Sequence, residues 1–382
     1  MSIIKQSNIE NMEMGQSKEE DRDLRSQLHR TQAELKQLQL QLDQARGLIR
    51  GMESSKFWKL RTQWFKVKAL FGYKEPNAFR EQKSIAKNLQ TTKPVYTKDP
   101  SGYYFLGMTT ADEQAYTEEY TKSNYTGEGE IVELGCFIGS FSISLARGLE
   151  ANSKIQNKDN RIHAHDIFIW DEYIGQIFEG HEIGSKYQPG DSFIGEYIDR
   201  ISLYKQYIQI HEGDLINRTW EGGKIEFLLV DAMKSWELTN SCIQNFFPYL
   251  IAGKSLLHHQ DFSYFWTTWI HLTMYRLREY FQPLYYVPEC SVIFKYIKEI
   301  PSEILAANYS IDSFSNEEIE AAFGYSLSIV PDFMRPNIAA AKITTYFQKN
   351  DLTRARQELE KAKSIGLYRE NSDYSQIEEW LR

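Results

Sequence analysis

Carboxylates and glycines recur in the middle of the chain, directly after short apolar runs. Glu133 closes the run that begins at Ile131, and Gly135 and Gly139 follow before a helical segment that starts at Ser140. Glycines at a turn between a strand and a helix let a ligand approach the backbone, and the helix N-terminus favours a carboxylate. The neighbouring acid can face a cation. The spacing Glu-x-Gly-x-x-x-Gly therefore predicts a site for a ligand that carries both charges.

Three further acids lie where predicted strands end. Asp166 ends the second strand, where a carboxylate can accept both ribose hydroxyls of a nucleoside. Asp214 follows the third strand, at a position that could meet an adenine, and Asp231 ends the fourth. Each acid alone would more often be a loop residue or a helix N-cap. Four acids at the ends of four consecutive parallel strands indicate one shared site, and S-adenosylmethionine is a nucleoside that carries the matching charges.

Seven short β-rich runs would position these residues. The first five are separated by helix-length connections, which implies parallel strands, and the last two are joined by a short turn, which implies an antiparallel hairpin. The predicted strands span residues 131–134, 162–165, 208–211, 225–230, 254–258, 284–287 and 292–296. Residues 101–299 are therefore predicted to form an α/β domain, with a doubly wound, mostly parallel seven-stranded sheet that ends in an antiparallel hairpin. We expect the insertion 171–204 to cover the site.

The N-terminal part of the chain has two segments of different composition. Residues 1–20 are polar and are predicted to be disordered. Residues 21–53 place apolar side chains alternately three and four residues apart. This pattern predicts a coiled coil and a homo-oligomer formed through residues 24–52. The alternative is a single helix that lies on the main domain.

Accessory segments flank the predicted sheet on both sides. Residues 54–72 interleave five basic residues with Trp and Phe at helical spacing, which predicts a basic aromatic amphipathic helix. Its apolar face has two equal alternatives: peripheral membrane contact, or contact with protein, either by docking on the chain's own core or by continuing the oligomer contact. Residues 73–100 are predicted to be a linker. Residues 300–382 are predicted to be helical, with one tetratricopeptide-like hairpin over 337–364 that caps the main domain or a partner.

Composition narrows the class of protein. The 382 residues hold 44 Lys and Arg against 52 Asp and Glu, for a formal net charge of −8, so no nucleic-acid partner is expected. Cys136, Cys242 and Cys290 are far apart and form no Cys-x-x-Cys pair, which indicates a reducing compartment. Neither a secretory signal nor an apolar run of about 18 residues is visible in the sequence. We expect a cytoplasmic location, with peripheral contact at the inner face of the membrane as a second expectation.

Residues 131–299 resemble the class I S-adenosylmethionine-dependent methyltransferases, and within them the macrocin-type sugar O-methyltransferases. The resemblance implies a Rossmann-like fold, S-adenosylmethionine as the cofactor, and O-methylation of a sugar or glycan precursor, with a small-molecule or glycan acceptor as the binding partner. It assigns the cofactor to Glu133, Gly135, Gly139, Ser140, Asp166 and Asp214. The N-terminal helix with SSKFWKLRTQW after it is similar to extensions on cyanobacterial glycosyltransferases and methyltransferases.

Departures from the family pattern bear on metal use. Metal-dependent members carry Gly-Asp after the strand-four acid and Asp-Asp after strand five, whereas this chain has Asp231-Ala232-Met233-Lys234 and Gln260-Asp261. If Mg²⁺ is bound, Asp231 and Asp261 are its ligands, and two monodentate carboxylates would hold it weakly. Lys234 could neutralise Asp231 instead. We expect catalysis without a metal in preference to a Mg²⁺ site.

Histidines supply a second kind of candidate. His258 and His259 end the fifth predicted strand and point to opposite faces, so only one of them can face a substrate. We expect His259, oriented by Asp261, to act as a general base, with Asp231 beside it; the alternative is a histidine satisfied by a backbone carbonyl. His163 and His165 share one face of the second strand and are interpreted as core histidines, because no third zinc ligand lies at suitable spacing.

Two other functions compete with methyl transfer. One is a non-catalytic oligomeric scaffold that retains the nucleotide-binding fold and docks at a membrane surface. The other is a nicotinamide-dependent enzyme. It is disfavoured because Phe137 stands where Gly-x-Gly-x-x-Gly would have its middle glycine.

Overall fold

The computed structural model describes residues 107–178, 182–288 and 290–382. The predictions for residues 1–20, 21–53, 54–72 and 73–100 lie outside these residues, and so do the oligomer and membrane contacts assigned to them. Within the described ranges, no helix is both long and apolar enough to cross a membrane.

One seven-stranded sheet organises the described chain. Its strands are β1 Glu130–Leu134, β2 Ile162–Asp166, β3 Ile208–Glu212, β4 Ile225–Val230, β5 Leu256–His259, β6 Phe281–Val287 and β7 Ser291–Tyr296. Their order is β3-β2-β1-β4-β5-β7-β6. The first five strands pair in parallel, and β7 pairs antiparallel with both β5 and β6. The predicted doubly wound sheet with its terminal hairpin is confirmed.

Two strand boundaries differ from the prediction by more than one residue. β5 begins at Leu256 rather than 254, because Gly253 has a positive φ of 77° and the Ser255 hydroxyl accepts a hydrogen bond from the Ile251 amide at 2.6 Å, so these residues form a turn. β6 begins at Phe281 and includes Pro283. Proline is tolerated there because β6 lies at the edge of the sheet, where one side of the strand needs no ladder hydrogen bonds.

Helices connect the strands and complete the domain. The α-helices are α1 Ala111–Glu119, α2 Ser140–Ala151, α3 Glu172–Ile177, α4 Ile194–Arg200, α5 Trp236–Asn245, α6 Thr268–Arg276, α7 Ser302–Leu305, α8 Asn316–Ile329, α9 Arg335–Gln348, α10 Leu352–Ser364 and α11 Ser372–Trp380. A π-helical turn spans Tyr120–Asn124, and 3₁₀ turns span Ile183–Ser185, Ser202–Tyr207, Leu215–Asn217, Phe247–Tyr249 and Ile311–Ser313. Leu215–Asn217 is the sole helical element between β3 and β4, whose connection is described throughout.

Each face of the sheet buries its own apolar layer. On one face, Ile131 and Phe227 pack with Phe141 and Leu145 of α2. The other face packs against α5, α6 and the C-terminal helices, and its core includes Ile338 of α9. The helical hairpin α9–α10 therefore packs into the core that covers the sheet. This layering leaves the carboxyl ends of β1, β2, β4 and β5 together at one edge.

Candidate active site at the carboxyl edge of the sheet

Two glycines shape the turn between β1 and α2. Gly135 and Gly139 have φ values of 86° and 90°, in the region that favours glycine. A Cβ on Gly135 would lie 2.8 Å from the carbonyl oxygen of Asp231, so this glycine lets the end of β1 approach the backbone after β4. A Cβ on Gly139 would lie 3.2 Å from atoms of Tyr197 and Ile201. Both glycines thus make close contacts within the protein, whereas the sequence suggested approach of a ligand.

Ser140 begins α2 as predicted, and its side chain is already engaged. The Thr109 hydroxyl donates to the Ser140 hydroxyl at 3.0 Å. A Cβ on Gly107 would lie 2.4 Å from the same oxygen. Residues 107–109 therefore pack directly on the first turn of α2.

Glu133 is fully buried at the end of β1. Its Oε2 accepts a hydrogen bond of 2.6 Å from the Ser142 hydroxyl, which in turn accepts one of 2.9 Å from the Tyr197 hydroxyl. Its Oε1 is buried and has no hydrogen-bond partner among the described residues. Burial raises the pKa of Glu133 to about 8. The sequence predicted this acid at the site, and the structure leaves one of its oxygens available to a buried donor.

Asp166 joins the turns that follow β1 and β2. Its two oxygens accept backbone hydrogen bonds from Phe137 and Phe168, each of 2.8 Å. Both phenylalanines have positive φ, 45° and 53° respectively, so the carboxylate stabilises unusual backbone at both turns. Burial raises the pKa of Asp166, and these amide donors oppose the rise. The amides of Ile167 and Cys136 also face the carboxylate, so Asp166 is surrounded by backbone donors at the end of β2.

An ion-paired triad lies at the ends of β4 and β5. The Lys234 ammonium donates to Asp231 Oδ1 at 2.7 Å and also to Asp261 Oδ2. Burial raises the pKa of Asp231, the Lys234 ammonium opposes this, and the charge of Asp261 adds to it. The sequence suggested that Lys234 neutralises Asp231, and the structure confirms that contact.

Mg²⁺ does not fit these residues as they stand. The ammonium of Lys234 already occupies the space between Asp231 and Asp261, the two ligands expected for Mg²⁺. A divalent ion would have to displace it. Within the part of the chain that the structure describes, no group of three or more His, Cys, Asp or Glu side chains is arranged as a metal site.

Glu113 of α1 is an acid of the site that sequence reasoning missed. It forms a capping box with Thr110, and its Oε1 accepts a hydrogen bond from the Ser291 hydroxyl of β7. Burial raises its pKa, and the charge of Asp261 contributes. The sequence Thr-x-x-Glu signals a helix start, but nothing in it shows that this glutamate is buried against the sheet.

Five carboxyl groups therefore come together at this edge, and we call them the carboxylate cluster. Asp166 and Asp231 act electrostatically on Glu133, and Glu113 and Asp261 act on Asp231. The cluster consists of Glu113, Glu133, Asp166, Asp231 and Asp261. Lys234 is the cation that the described contacts place in it.

The expected pairing of His259 with Asp261 is not formed. Both ring nitrogens of His259 are buried and lack a hydrogen-bond partner among the described residues, and burial lowers its pKa to about 3. Asp261 instead binds Lys234, because a charged donor makes a stronger hydrogen bond than a neutral imidazole does. His258 points to the other face, where its ring packs edge-on against Phe141.

Asp214 lies apart from the carboxylate cluster. Its Oδ1 accepts a hydrogen bond of 2.9 Å from the Ile216 amide, so it caps the 3₁₀ turn after β3. It also lines a cavity of about 620 Å³ beneath residues 213–222. The alternative role of a helix cap therefore applies to Asp214, whereas the predicted adenine contact stays a prediction.

Three histidines line the same cavity, and we call them the histidine stack. His163 Nδ1 lies 3.0 Å from His211 Nε2, and the ring of His165 stacks on that of His211 with centroids 4.3 Å apart. The sequence placed His163 and His165 on one face but missed His211. The parallel pairing of β2 with β3 sets His165 opposite His211, and this pairing alone places the His211 ring beside the other two histidines.

The insertion after β2 packs over the β1 turn. The Phe137 ring lies 5.3 Å from that of Phe193 and 5.6 Å from that of Phe178, centroid to centroid. Tyr197 of α4 covers Gly139. The described part of the insertion thus encloses the turn at which the site was predicted.

Comparisons with known proteins give likeness in structure only. No family model and no curated protein matches the chain. The O-methyltransferase NovP is 15% identical, with 58% of this chain and 100% of that chain covered and a TM-score of 0.39. The calicheamicin methyltransferase CalS11 is 16% identical, with 58% and 94% covered and a TM-score of 0.38. A phosphoethanolamine N-methyltransferase of Haemonchus contortus is 13% identical, with 63% and 55% covered and a TM-score of 0.33. At these values the likeness carries no argument about activity or substrate.

Proposed function

We propose that the chain binds S-adenosylmethionine at the carboxylate cluster and transfers its methyl group to an oxygen atom of a small-molecule acceptor, a sugar or a glycan precursor. The observation that carries this proposal is the gathering of five carboxyl groups at the carboxyl ends of β1, β2, β4 and β5 and on α1, two of which bind the Lys234 ammonium. Open α/β sheets bind their ligands at this edge.

The charge of the cluster suits a cationic nucleoside. Five acids share one lysine, and burial favours the neutral form of Glu133 while no further cation from the described residues is present. A sulfonium and an ammonium group would stabilise the ionised carboxylates. The buried Oε1 of Glu133 has no hydrogen-bond partner among the described residues and can accept a hydrogen bond from a ligand donor.

Different residues of this chain contact different parts of S-adenosylmethionine. Asp166 accepts the ribose hydroxyls and Glu133 faces the amino-acid end, beside the turn formed by Gly135, Gly139 and Ser140. Asp214 lies outside the carboxylate cluster and contributes a smaller share of the binding, at the adenine end. When bound, S-adenosylmethionine supplies a methyl group attached to a positively charged sulfur.

Asp231 is the favoured general base for the acceptor hydroxyl. One of its oxygens binds Lys234, which leaves Oδ2 for the proton. The side chain of Asp231 is 16% exposed, whereas His259 is 1% exposed and faces Phe294 in the core. A base must come within hydrogen-bond reach of the proton that it removes, and Asp231 meets this condition better than His259 does.

Titration calorimetry with S-adenosylmethionine and S-adenosylhomocysteine tests the proposal. We expect one site on the wild-type chain, and roughly tenfold weaker binding for Glu133→Gln and Asp166→Asn, because neither variant can present an ionised carboxylate to the bound ligand. Asp332→Asn is the matched control, since Asp332 pairs with Arg335 on the surface. Folded wild-type protein that binds neither nucleoside would contradict the proposal. Methyl-labelled donor with nucleotide sugars and lipid-linked glycans then tests the acceptor class.

A further inference from the structure

We propose that the ammonium of Lys234 is a tethered cation that takes the place of a divalent metal at the acceptor end of the site and contacts the acceptor oxygen. This inference rests on the proposed function. It assigns to Lys234 a catalytic part that the charge pairing alone does not require.

The position of Lys234 is that of a bridging cation. Its ammonium lies between carboxylates that follow two neighbouring parallel strands, Asp231 after β4 and Asp261 after β5. Carboxylate oxygens at adjacent strand ends are ligands that Mg²⁺ prefers. Here the same oxygens are taken by a side chain that begins only three residues after Asp231.

The ammonium keeps one donor for a ligand. It has three N–H donors, and the contacts with Asp231 and Asp261 use two of them. The Lys234 side chain is 48% exposed, while those of its two partners are 16% and 11% exposed. A half-exposed lysine side chain is therefore held by two carboxylates that are more deeply buried than it is.

This arrangement can perform the electrostatic work of a metal in O-methylation. The third N–H of Lys234 donates to the acceptor oxygen and stabilises the negative charge that grows there as the hydroxyl proton passes to Asp231 Oδ2. The oxygen lone pair forms the bond to the methyl carbon, and the carbon–sulfur bond breaks with its electron pair on sulfur. The net positive charge of the sulfonium is thereby lost, and the proton is released through Asp231.

Manganese binding to lysine variants of the full chain tests the inference without an acceptor. Removal of the ammonium in Lys234→Ala leaves two carboxylates at the vacated position, so we expect Mn²⁺ to bind at least tenfold more tightly than to the wild type. The Mn²⁺ affinity is measured by electron paramagnetic resonance of free Mn²⁺ and by the thermal stabilisation that Mn²⁺ produces. Lys234→Gln keeps a polar side chain and serves if Lys234→Ala fails to fold. The double variant Lys234→Ala with Asp261→Asn should not show the tighter Mn²⁺ binding, because one of the two carboxylates is removed.

The outcomes separate this inference from the proposed function. A wild type that binds Mn²⁺ as tightly as Lys234→Ala, or lysine variants that fold and gain no Mn²⁺ binding, would overturn the assignment of Lys234. S-adenosylhomocysteine binding is measured on the same samples. If the chain shows the expected Mn²⁺ pattern and does not bind S-adenosylhomocysteine, the cation replacement is supported, whereas the methyltransferase proposal and the contact of Lys234 with an acceptor oxygen are contradicted.

Discussion

The carboxylate cluster and the histidine stack are both groups of titratable side chains on one sheet, and they differ in what surrounds them. The carboxylate cluster lies mainly at strand ends, where backbone amides and the Lys234 ammonium converge on it. The histidine stack lies along β2 and β3, and its His165 ring nitrogens have no hydrogen-bond partner among the described residues.

Burial acts on the two groups in opposite directions. It raises the pKa of Glu133 to about 8 and lowers that of His165 to about 2, so in both cases the neutral form is favoured. The acids, however, lie beside the Lys234 ammonium and backbone amides, while the histidines contact one another, Trp220 and Phe246. We therefore expect a charged ligand to bind at the strand ends and not at the histidine stack.

The largest expected effect is on the rate of methyl transfer, when the proposed general base is replaced. Asp231→Asn should lower the rate of methyl transfer by about 10²- to 10⁴-fold, because proton removal from the acceptor is lost. His259→Asn is the matched variant and should lower it by less than about tenfold, since His259 is buried away from the carboxylate cluster. Single-turnover rates with labelled donor measure both. A larger loss for His259→Asn than for Asp231→Asn would reverse the assignment of the base.

The turn at the carboxyl edge should be far less tolerant than one at the opposite edge. Gly135→Ala places a Cβ 2.8 Å from the Asp231 carbonyl oxygen at a φ of 86°. We expect it to lower the free energy of unfolding by about 3 kcal/mol or more. Gly253→Ala has a similar φ, 77°, and no atom within 4 Å, so about 1 kcal/mol is expected. Urea unfolding compares the two, and equal losses would show that the contact with Asp231 is unimportant.

The two groups should also give opposite pH dependence of stability. Glu133 keeps its proton in the folded state between its ordinary pKa of 4.5 and about 8. Its contribution to the free energy of unfolding is therefore present at low pH and is lost as pH rises through this window. The slope for one proton is about 1.4 kcal/mol per pH unit. Glu133→Gln removes this loss, and its stability relative to the wild type should rise with pH.

His165 provides the opposite slope. Its pKa falls from 6.5 to about 2 on burial. Its contribution to the free energy of unfolding is therefore present above pH 6.5 and is lost as pH falls. His165→Asn should therefore lose less stability than the wild type on acidification from about pH 6.5 to about pH 4.5. Denaturant unfolding followed by tryptophan fluorescence at a series of pH values measures both variants. Curves parallel to the wild type would mean that neither group titrates differently on folding.

The smallest effect is expected at Asp214. Asp214→Ala removes the cap on the Ile216 amide and should lower the free energy of unfolding by about 0.5–1 kcal/mol, while Asp214→Asn keeps an acceptor and should change it little. Binding of S-adenosylmethionine should weaken less than in Asp166→Asn, because Asp214 lies outside the carboxylate cluster. A loss as large as that of Asp166→Asn would extend the binding site to the loop after β3.

Much of the fold follows from local pattern, and part of the site does not. Apolar β-branched runs and connection lengths were enough to place all seven strands and the acids Asp166 and Asp231 at their ends. Glu113 could not be placed, because its helix has a polar sequence, and its contact with the Ser291 hydroxyl of β7 forms only in the folded domain. His211 and the contact of Lys234 with Asp261 depend on which strands are neighbours. Strand order is a property of packing, which no single segment specifies.

A crystal structure of the full chain with S-adenosylhomocysteine tests the central claim most directly. The account predicts the nucleoside at the carboxyl ends of β1, β2 and β4, with its ribose hydroxyls within hydrogen-bond distance of Asp166 and its amino-acid portion beside Glu133. A nucleoside bound instead in the cavity lined by the histidine stack, or none bound at saturating concentration, would contradict it.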